Sequence, residues 1–409
     1  MKNEREEIKG TKRLYETDGM LLVFEAHVTD CIKCENGFGI ILDETAFFPG
    51  GGGQEADTGI IEKGNGSIIS VDRVQVTDGN ILHITDAPID AGEKVTGRVD
   101  VKTRLPRMQK HGAEHLICGL VHERFGYENV GFHMTDEETV FDVGGPLTKE
   151  EIRDIERRAN EIIYENVPIT ISFPSAEEAA DIKYRSKLDI SEGVRLVTIE
   201  GYDVCACCAP HVASTGQIGV IKILSAMPHR GGMRMTITAG LDAYSDYFML
   251  HEQNAVIMDI LSAKRNLTAE YTKDMADRMA ALKEENRKLK IKLTAMETER
   301  ILGHIKSRDP KDSSPEVIFS DELDPKGLRD LVNSCTAVFD GIVCAFLFVD
   351  DGYRYIFAVR EDFAKDYDIR SLSARLNEKL GGRGGGSEIM VQGNVGATRS
   401  RIEEFFATN

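Results

Sequence analysis

The stretch KHGAEHLICG, residues 110–119, sets His111 and His115 four residues apart with Glu114 just before the second. On a helix, positions i and i+4 lie one above the other, so both imidazoles can aim at one point, and two imidazoles are half of a zinc site. Further along, CACCAPHVASTGQIG offers Cys207 and His211 at the same spacing, beside the turn-forming Pro210. If the fold brings the two pairs together, they make a Cys/His3 tetrahedron of a kind that zinc accepts. Cys205 and Cys208 are alternative thiolates that residue type alone leaves open. A competing chemistry reads Glu114 as well. HGAEH fits the inverted zinc-protease motif H-x-x-E-H, in which both histidines hold the metal and the glutamate activates water, and Glu192 is a conceivable third ligand. That reading predicts peptide cleavage and leaves the CCAPH segment without a role.

Two glycine-rich segments also need a purpose. FFPGGGGQEADTG (47–59) is too flexible for a helix or a paired strand. Its backbone can approach a ligand closely and its N–H groups can cradle an anion, unless it is only a tight hairpin. GGRGGGSEIMVQGNV (381–395) follows the helical pattern IRSLSARLNEKL, so Gly381 and Gly382 are expected as helix C-cap residues. Gly384, Gly385 and Gly386 are then expected as a flexible loop beside Arg383. Neither segment is a Walker loop, because no Gly-Lys-Ser/Thr follows. Cys31 and Cys34 form a CxxC where a strand is expected to run into a turn, a spacing that alone does not establish a metal or redox pair.

The elements that must position these residues follow from length and patterning. At 409 residues the chain exceeds one hydrophobic core, so two to four domains are expected. No run approaches the roughly 20 apolar residues of a membrane span, and the N-terminus MKNEREEIKG is charged without an apolar signal core, which predicts a cytoplasmic protein with no membrane partner. Eight cysteines, several of them crowded into CACC, suit a reducing compartment and metal ligation. A net charge of −18 argues against wholesale coating of nucleic acid but not against a local basic groove. From Arg370 onward six Lys or Arg face four Glu, so this segment departs from the acidic average.

Residues 14 to about 100 alternate short apolar runs with Gly and Asp turns, the cadence of a small β-barrel. A helical pattern covers 104–126, TVFDVGG reads as a strand, and TKEEIRDIERRANEIIYEN reads as a helix whose Thr148 and Glu151 form a capping box. Strands at VPITISF, VRLVTIE and IGVIKIL complete an α+β unit. Met275, Met279, Leu282, Asn286, Leu289, Leu293 and Met296 then recur as a heptad seam, with Asn286 as a register-fixing polar residue. The expected organisation is α+β in four segments: a β-rich N-terminal part with the glycine loop (1–103), a zinc-binding α+β domain (104–242), a coiled-coil-like helical connector (243–309) and a C-terminal α/β domain (310–409).

In combination these stretches resemble the editing domain of alanyl-tRNA synthetase in its freestanding form, the AlaX family of alanyl-tRNA trans-editing proteins, long type. TAFFPGGGGQEADTG resembles the family's Thr-Ala-Phe-Tyr-Pro, glycine run, Gln and Asp-x-Gly; HGAEHLICG resembles its His-Thr-Ala-Glu-His-Leu-Leu. VGFHMTDEETVFDV resembles its Ser-Phe-His segment, and CCAPHVASTGQIGVIKI its Cys-Gly-Gly-Thr-His-Val followed by Thr-Gly-Glu-Ile-Gly. GGRGGGSEIMVQGNV resembles the glycine-rich end of a C-terminal domain that alanyl-tRNA synthetases share with certain phosphoesterases, so the likeness spans residues 14–409. Gly112, Gly131, Ala209 and Pro210 depart from the family's pattern.

The resemblance implies zinc at His111, His115, Cys207 and His211, and ATP-independent hydrolysis of the ester joining serine, or glycine, to the tRNA for alanine. It makes Gln54 the residue that positions substrate or water, with Thr45 and His133 in the pocket wall. In the C-terminal domain it implies tRNA binding or self-association, with Lys379, Arg383, Gly384, Gly385 and Gly386 on backbone phosphates. A homodimer through the connector or the C-terminal domain is expected from the heptads. Nothing like a class II aminoacylation domain precedes the editing region, so correction of aminoacyl-tRNA is expected in place of its synthesis. Four protein ligands describe a closed zinc site, so contact with substrate requires the coordination to expand or His211 to yield; otherwise zinc only orders the pocket. The alternatives are a non-catalytic tRNA-binding or assembly protein and the zinc peptidase.

Overall fold

The computed structural model describes residues 10–35, 37–186, 193–309 and 312–408. The chain divides into two compact units, Met1–Val256 and Ile257–Asn409.

The first unit opens with a closed barrel of strands β1 (Val23–Cys34), β2 (Gly37–Leu42), β3 (Gly59–Lys63), β4 (Ile68–Thr77), β5 (Asn80–Thr85) and β6 (Lys94–Val99), in the order β1-β2-β5-β4-β3-β6. Period-two alternation sends Phe24, Ala26 and Val28 of β1 inward, where they meet Ile40, Phe47, Ile61 and Ile81. Closure leaves no unpaired sheet edge, because β1 pairs with β2 on one side and β6 on the other. Cys31 and Cys34 both lie within β1, not in a turn. Three positions apart on a strand, they project from opposite faces and do not converge.

Helix α1 (Val101–Phe125) follows, its first turn capped by the Asp100 carboxylate and its last by left-handed Gly126. From Met108 to Val121 every residue is buried, so α1 runs through the middle of the unit and its polar residues need partners inside it. Arg104 shows how the barrel and helix are joined. Wholly buried, it pairs with Asp57 and donates to the carbonyls of Gly19 (2.9 Å) and Ala46 (2.6 Å). An ion pair survives in such a place only because its remaining donors are also satisfied.

Around α1 stand β7 (Asn129–Met134), β8 (Thr139–Val143), α2 (Lys149–Glu165), β9 (Ile169–Ser172), α3 (Ala176–Asp181), β10 (Leu196–Ile199), β11 (Asp203–Ala206), α4 (Thr215–Ile218), β12 (Ile221–His229) and β13 (Gly232–Ala239), with α5 (Gly240–Leu261) next in the chain. One antiparallel sheet runs β12-β13-β8-β7 and another β9-β10-β11. The Thr148–Glu151 capping box opens α2.

The second unit contains α6 (Thr268–Ser307) and a mixed sheet of β14 (Glu316–Ser320), β15 (Val343–Val349), β16 (Gly352–Ala358), β17 (Arg383–Gly386) and β18 (Met390–Val395), ordered β14-β15-β16-β18-β17. α7 (Pro325–Thr336) packs on one face, and α8 (Ile369–Leu380) with α9 (Arg399–Ala407) on the other. Ile301 and Ile305 of α6 are part of the core under α7, so the boundary drawn at residue 310 falls inside this unit. The heptad seam is a single long helix whose Met279, Leu282, Leu289 and Met296 stay 47–64% exposed, while Leu293 packs on the α7 core. The glycines expected as a flexible loop form the edge strand β17, paired with β18. Gly381 does cap α8, at φ 70°.

Candidate metal centre

Helical spacing puts His111, Glu114, His115 and Cys118 on one side of α1. The loop after β11 brings Cys207 and His211 to the same place. Arg195 holds that loop: its backbone carbonyl accepts from Cys207 N (3.1 Å) and its guanidinium donates to Cys207 O. The Cys207 Sγ lies 3.5 Å from His111 Nε2 and 3.3 Å from His211 Nε2. One ligand atom from each of His111, His115, Cys207 and His211 falls within 4.8 Å of all the others. With zinc–ligand bonds of about 2.0–2.3 Å, the edges of a tetrahedron are about 3.3–3.6 Å, so the sulfur edges already have the right length.

The rings are aimed by partners behind them. His111 Nδ1 donates to Gln54 Oε1 (2.9 Å) and His115 Nδ1 donates to Asp203 Oδ2 (3.2 Å), which turns each Nε2 towards the centre. Asp203 is in turn gripped by Arg185, at 2.7 and 2.8 Å. Burial opposes ionisation of Cys207, but the imidazoles of His111 and His211 prevail and hold its thiol well below the usual range. Burial drives His211 down to about 3, so its ring is neutral. Burial alone would lower His115 too, yet Cys205, Asp203 and Cys207 raise it well above the ordinary value. A thiolate beside three imidazoles is the donor set of a zinc site once His115 gives up its second proton, which must leave when metal binds. The four residues therefore fit the ion that the sequence implies.

The glycine run folds as a tight turn. Gly51 and Gln54 exchange both backbone hydrogen bonds (2.9 and 3.0 Å), and Gly50 to Gly53 all have positive φ. A side chain at Gly53 would meet the Phe132 ring at 2.6 Å. The turn delivers Gln54 to His111, and the buried Gln54 Nε2 has no hydrogen-bond partner among the described residues.

Other expected site residues lie elsewhere. Thr45 is inside the barrel, where its hydroxyl donates to His83 Nε2 (2.8 Å) and accepts from Phe47 N (3.1 Å); burial pushes His83 down to about 4 and keeps it neutral. Thr45 is thus a wholly buried residue of the barrel. His133 is exposed, because strand alternation turns its neighbour Phe132 towards the site instead. The Phe132 ring centroid is 5.0 Å from that of His111. Cys205 stands with His115 and Asp203, its thiol pushed up by burial, whereas Cys208 is exposed near the glycine turn. Glu114 is buried and accepts from Asn129 Nδ2 and Cys118 Sγ, so it is tied into the fold. Glu192 lies outside the described residues. Asp203, Arg185 and Arg195 were missed by sequence reasoning; an aspartate opening the otherwise apolar DVCA strand was the available signal. In the second unit, Lys379 sits over the Phe405 ring (5.6 Å) and Arg383 begins β17.

Residues 194–234, which carry Cys207 and His211, match the family described as threonyl and alanyl tRNA synthetase second additional domain. Residues 3–103, which carry the barrel and Gln54, match the family described as tRNA synthetases class II (A). The alanine–tRNA ligase of Ignicoccus hospitalis is 29% identical over 392 residues, 93% of this chain, and that of Korarchaeum cryptofilum is 29% identical over 410 residues, 97% of this chain. The chain is related to alanyl-tRNA synthetase. It spans 41% and 44% of those two ligases, and the alanine–tRNA ligase of Halobacterium salinarum matches 64% of it at 34% identity. The relation to alanyl-tRNA synthetase thus extends over both compact units. A solved structure, the C-Ala domain of Aquifex aeolicus alanyl-tRNA synthetase, aligns over 24% of this chain and 99% of its own length, at 15% identity with a TM-score of 0.22, too low to assign a fold. No helix among the described residues is long and apolar enough to cross a membrane.

Proposed function

We propose that this chain is a zinc-dependent hydrolase that removes serine or glycine from the tRNA for alanine. One observation carries the reading: four side chains that could hold a metal stand beside a buried amide, Gln54 Nε2, with no partner among the described residues. In the reaction, water adds to the ester carbonyl, the bond to the terminal ribose oxygen breaks, the water's oxygen stays on the amino-acid carboxyl, and the ribose oxygen takes up a proton from that water. His111, His115, Cys207 and His211 would hold the zinc, which supplies a Lewis-acidic centre when bound.

Gln54 does the positioning. Its Oε1 accepts from His111, so the amide has only one orientation and its Nε2–H points where a carbonyl oxygen can take it. As charge builds on that oxygen the hydrogen bond strengthens, and burial makes it worth more than it would be in water. Phe132 covers one side of His111 and restricts bulk water. Editing of this kind is needed because a pocket for alanine cannot strongly reject a side chain that adds one hydroxyl.

The test compares wild type with Cys207→Ala on Ser-, Gly- and Ala-esters of the tRNA for alanine, with metal content measured in parallel. Rapid loss of the seryl or glycyl ester, sparing of the alanyl ester, and loss of both hydrolysis and zinc in the variant are expected. No deacylation of any ester by zinc-loaded protein would sink the reading. The exposed α6 seam supports a homodimer, which a monomer mass in sedimentation at micromolar concentration would exclude.

A further inference from the structure

The four-stranded sheet of the first unit has an edge that is finished over only part of its length. In the order β12-β13-β8-β7 the nine-residue β12 is an outer strand, and an outer strand presents unpaired N–H and C=O groups. Its first part is covered by α2. Asn160 Oδ1 accepts from Ile221 N (2.9 Å), Asn160 Nδ2 donates to Ile221 O (2.9 Å), and Glu156 Oε2 accepts from Ile223 N (2.7 Å). A β-bulge follows. Ile223 pairs with Ile237 and Ser225 with Thr236, so Leu224 has no opposite residue in β13 and stays 50% exposed. Beyond Ile223 no side chain among the described residues caps the backbone of β12.

Where the cap ends a groove begins, of about 850 Å³, between β12 and the N-terminal turns of α2. Lys149, Ile152, Arg153 and Glu156 stand at i, i+3, i+4 and i+7, one stripe of the helix, and all four line it. Ile152, Leu224 and Met233 make much of the lining apolar. At the far end β12 turns into β13 through Arg230 and Gly231, whose φ of 46° and 85° are the left-handed pair that a two-residue type I′ hairpin requires. The charges of the groove are uneven. Its one carboxylate, Glu156, is taken by Lys222 (2.7 Å), which leaves Lys149, Arg153 and Arg230 exposed and without an ion pair among the described residues. On a chain with a net charge of −18, three unmatched cations around an apolar groove select for an anionic partner.

We propose that this groove docks a short extended segment of a partner protein, acidic side chains among apolar ones, laid along Leu224 to Met227 as an added strand. Main-chain hydrogen bonds to β12 hold the segment, its apolar side chains rest on Ile152, Leu224 and Met233, and its carboxylates meet Lys149, Arg153 and Arg230. Pro228 has no N–H and ends the usable edge, which limits the segment to about four to six residues. Two other occupants fit less well. No Phe, Tyr or Trp lines the groove, so a nucleic-acid base has no ring to stack on. A second copy paired edge to edge through β12 sets the same cations against each other. The proposal does not depend on ester hydrolysis at the metal centre.

The experiment uses the full chain. Random decapeptides displayed on phage are selected on it, and the enriched sequences are synthesised with a fluorophore and titrated against wild type, Arg153→Glu, Arg230→Glu and Arg153→Lys. Thermal unfolding checks that each variant folds. The selection is expected to enrich peptides that carry several Asp or Glu among apolar residues, with binding about tenfold weaker in the two Glu variants and nearly unchanged in Arg153→Lys. Replacing one acidic residue of the peptide by Lys should recover part of its affinity for Arg153→Glu, a rescue that damage to the fold would not give. Enrichment without acidic residues, or equal affinity in all four proteins, would overturn the groove as a peptide site. Displacement of the peptide by uncharged tRNA for alanine would make RNA the occupant, and a dimer mass in sedimentation that the two Glu variants lose would make it a second copy. Either result overturns the proposal.

Discussion

The candidate metal centre of the first unit and the row of Arg354, Asn394 and Arg383, opposed on neighbouring strands β16, β18 and β17 of the second, both gather polar side chains from separate segments, yet they are built on opposite terms. At the metal centre every ring is buried, and two of the three histidines are aimed by a named partner. Along the row the side chains are exposed and carry unbalanced charge. Burial forces geometry: a misplaced group inside cannot turn to water for compensation, so loss of one member should break the whole site. An exposed group can turn to water instead, so loss of one member of the row should leave the others in place.

That contrast can be broken or sharpened in three further ways. The largest effect is expected from Gln54→Ala, which should lower kcat/KM for the seryl ester by about 10²- to 10³-fold while zinc content stays complete. Wild-type kinetics in that variant would deny Gln54 its role. Next, Asp203→Asn weakens the hydrogen bond that aims His115 and should cost about 10- to 100-fold in zinc affinity by chelator competition. An unchanged affinity would mean that packing alone orients the ring. The smallest effects separate the two glycine runs. Gly53→Ala meets the Phe132 ring at 2.6 Å with φ at 90°, and should cost about 1–3 kcal/mol in denaturant unfolding. Gly385→Ala meets nothing within 4 Å on its open edge strand and should stay within about 0.5 kcal/mol of wild type. Equal costs at both positions would erase the distinction between a turn that must be glycine and a strand that merely is.

Much of the frame was legible because it rests on local chemistry. The i, i+4 spacing of His111 with His115 and of Cys207 with His211, the Thr148–Glu151 box and the alternation of β1 each depend on a few adjacent residues. The rest depends on contacts that no local pattern encodes. Thr45 looks like a pocket hydroxyl until His83, from another strand, claims it. His133 and Phe132 are equally placed in sequence, and only the sheet decides which faces α1. Gly384 to Gly386 read as a loop by composition, but pairing with β18 extends them. Asp203 and Arg185 could not be joined to His115 before the strands that carry them were placed.

The distance along the chain between the halves of the metal centre also has a meaning during synthesis. His111 and Cys207 are 96 residues apart. At about 5–20 residues per second, the ribosome needs roughly 5–20 s to supply the thiolate after the first histidine has been made. All six barrel strands end by Val99, before any of the four ligands exists. Apolar packing inside the barrel is thus available before any of the four candidate ligands has been made. The barrel strands and the Arg104–Asp57 pair that ties them to α1 draw on residues up to 104 and need none of the four candidate ligands.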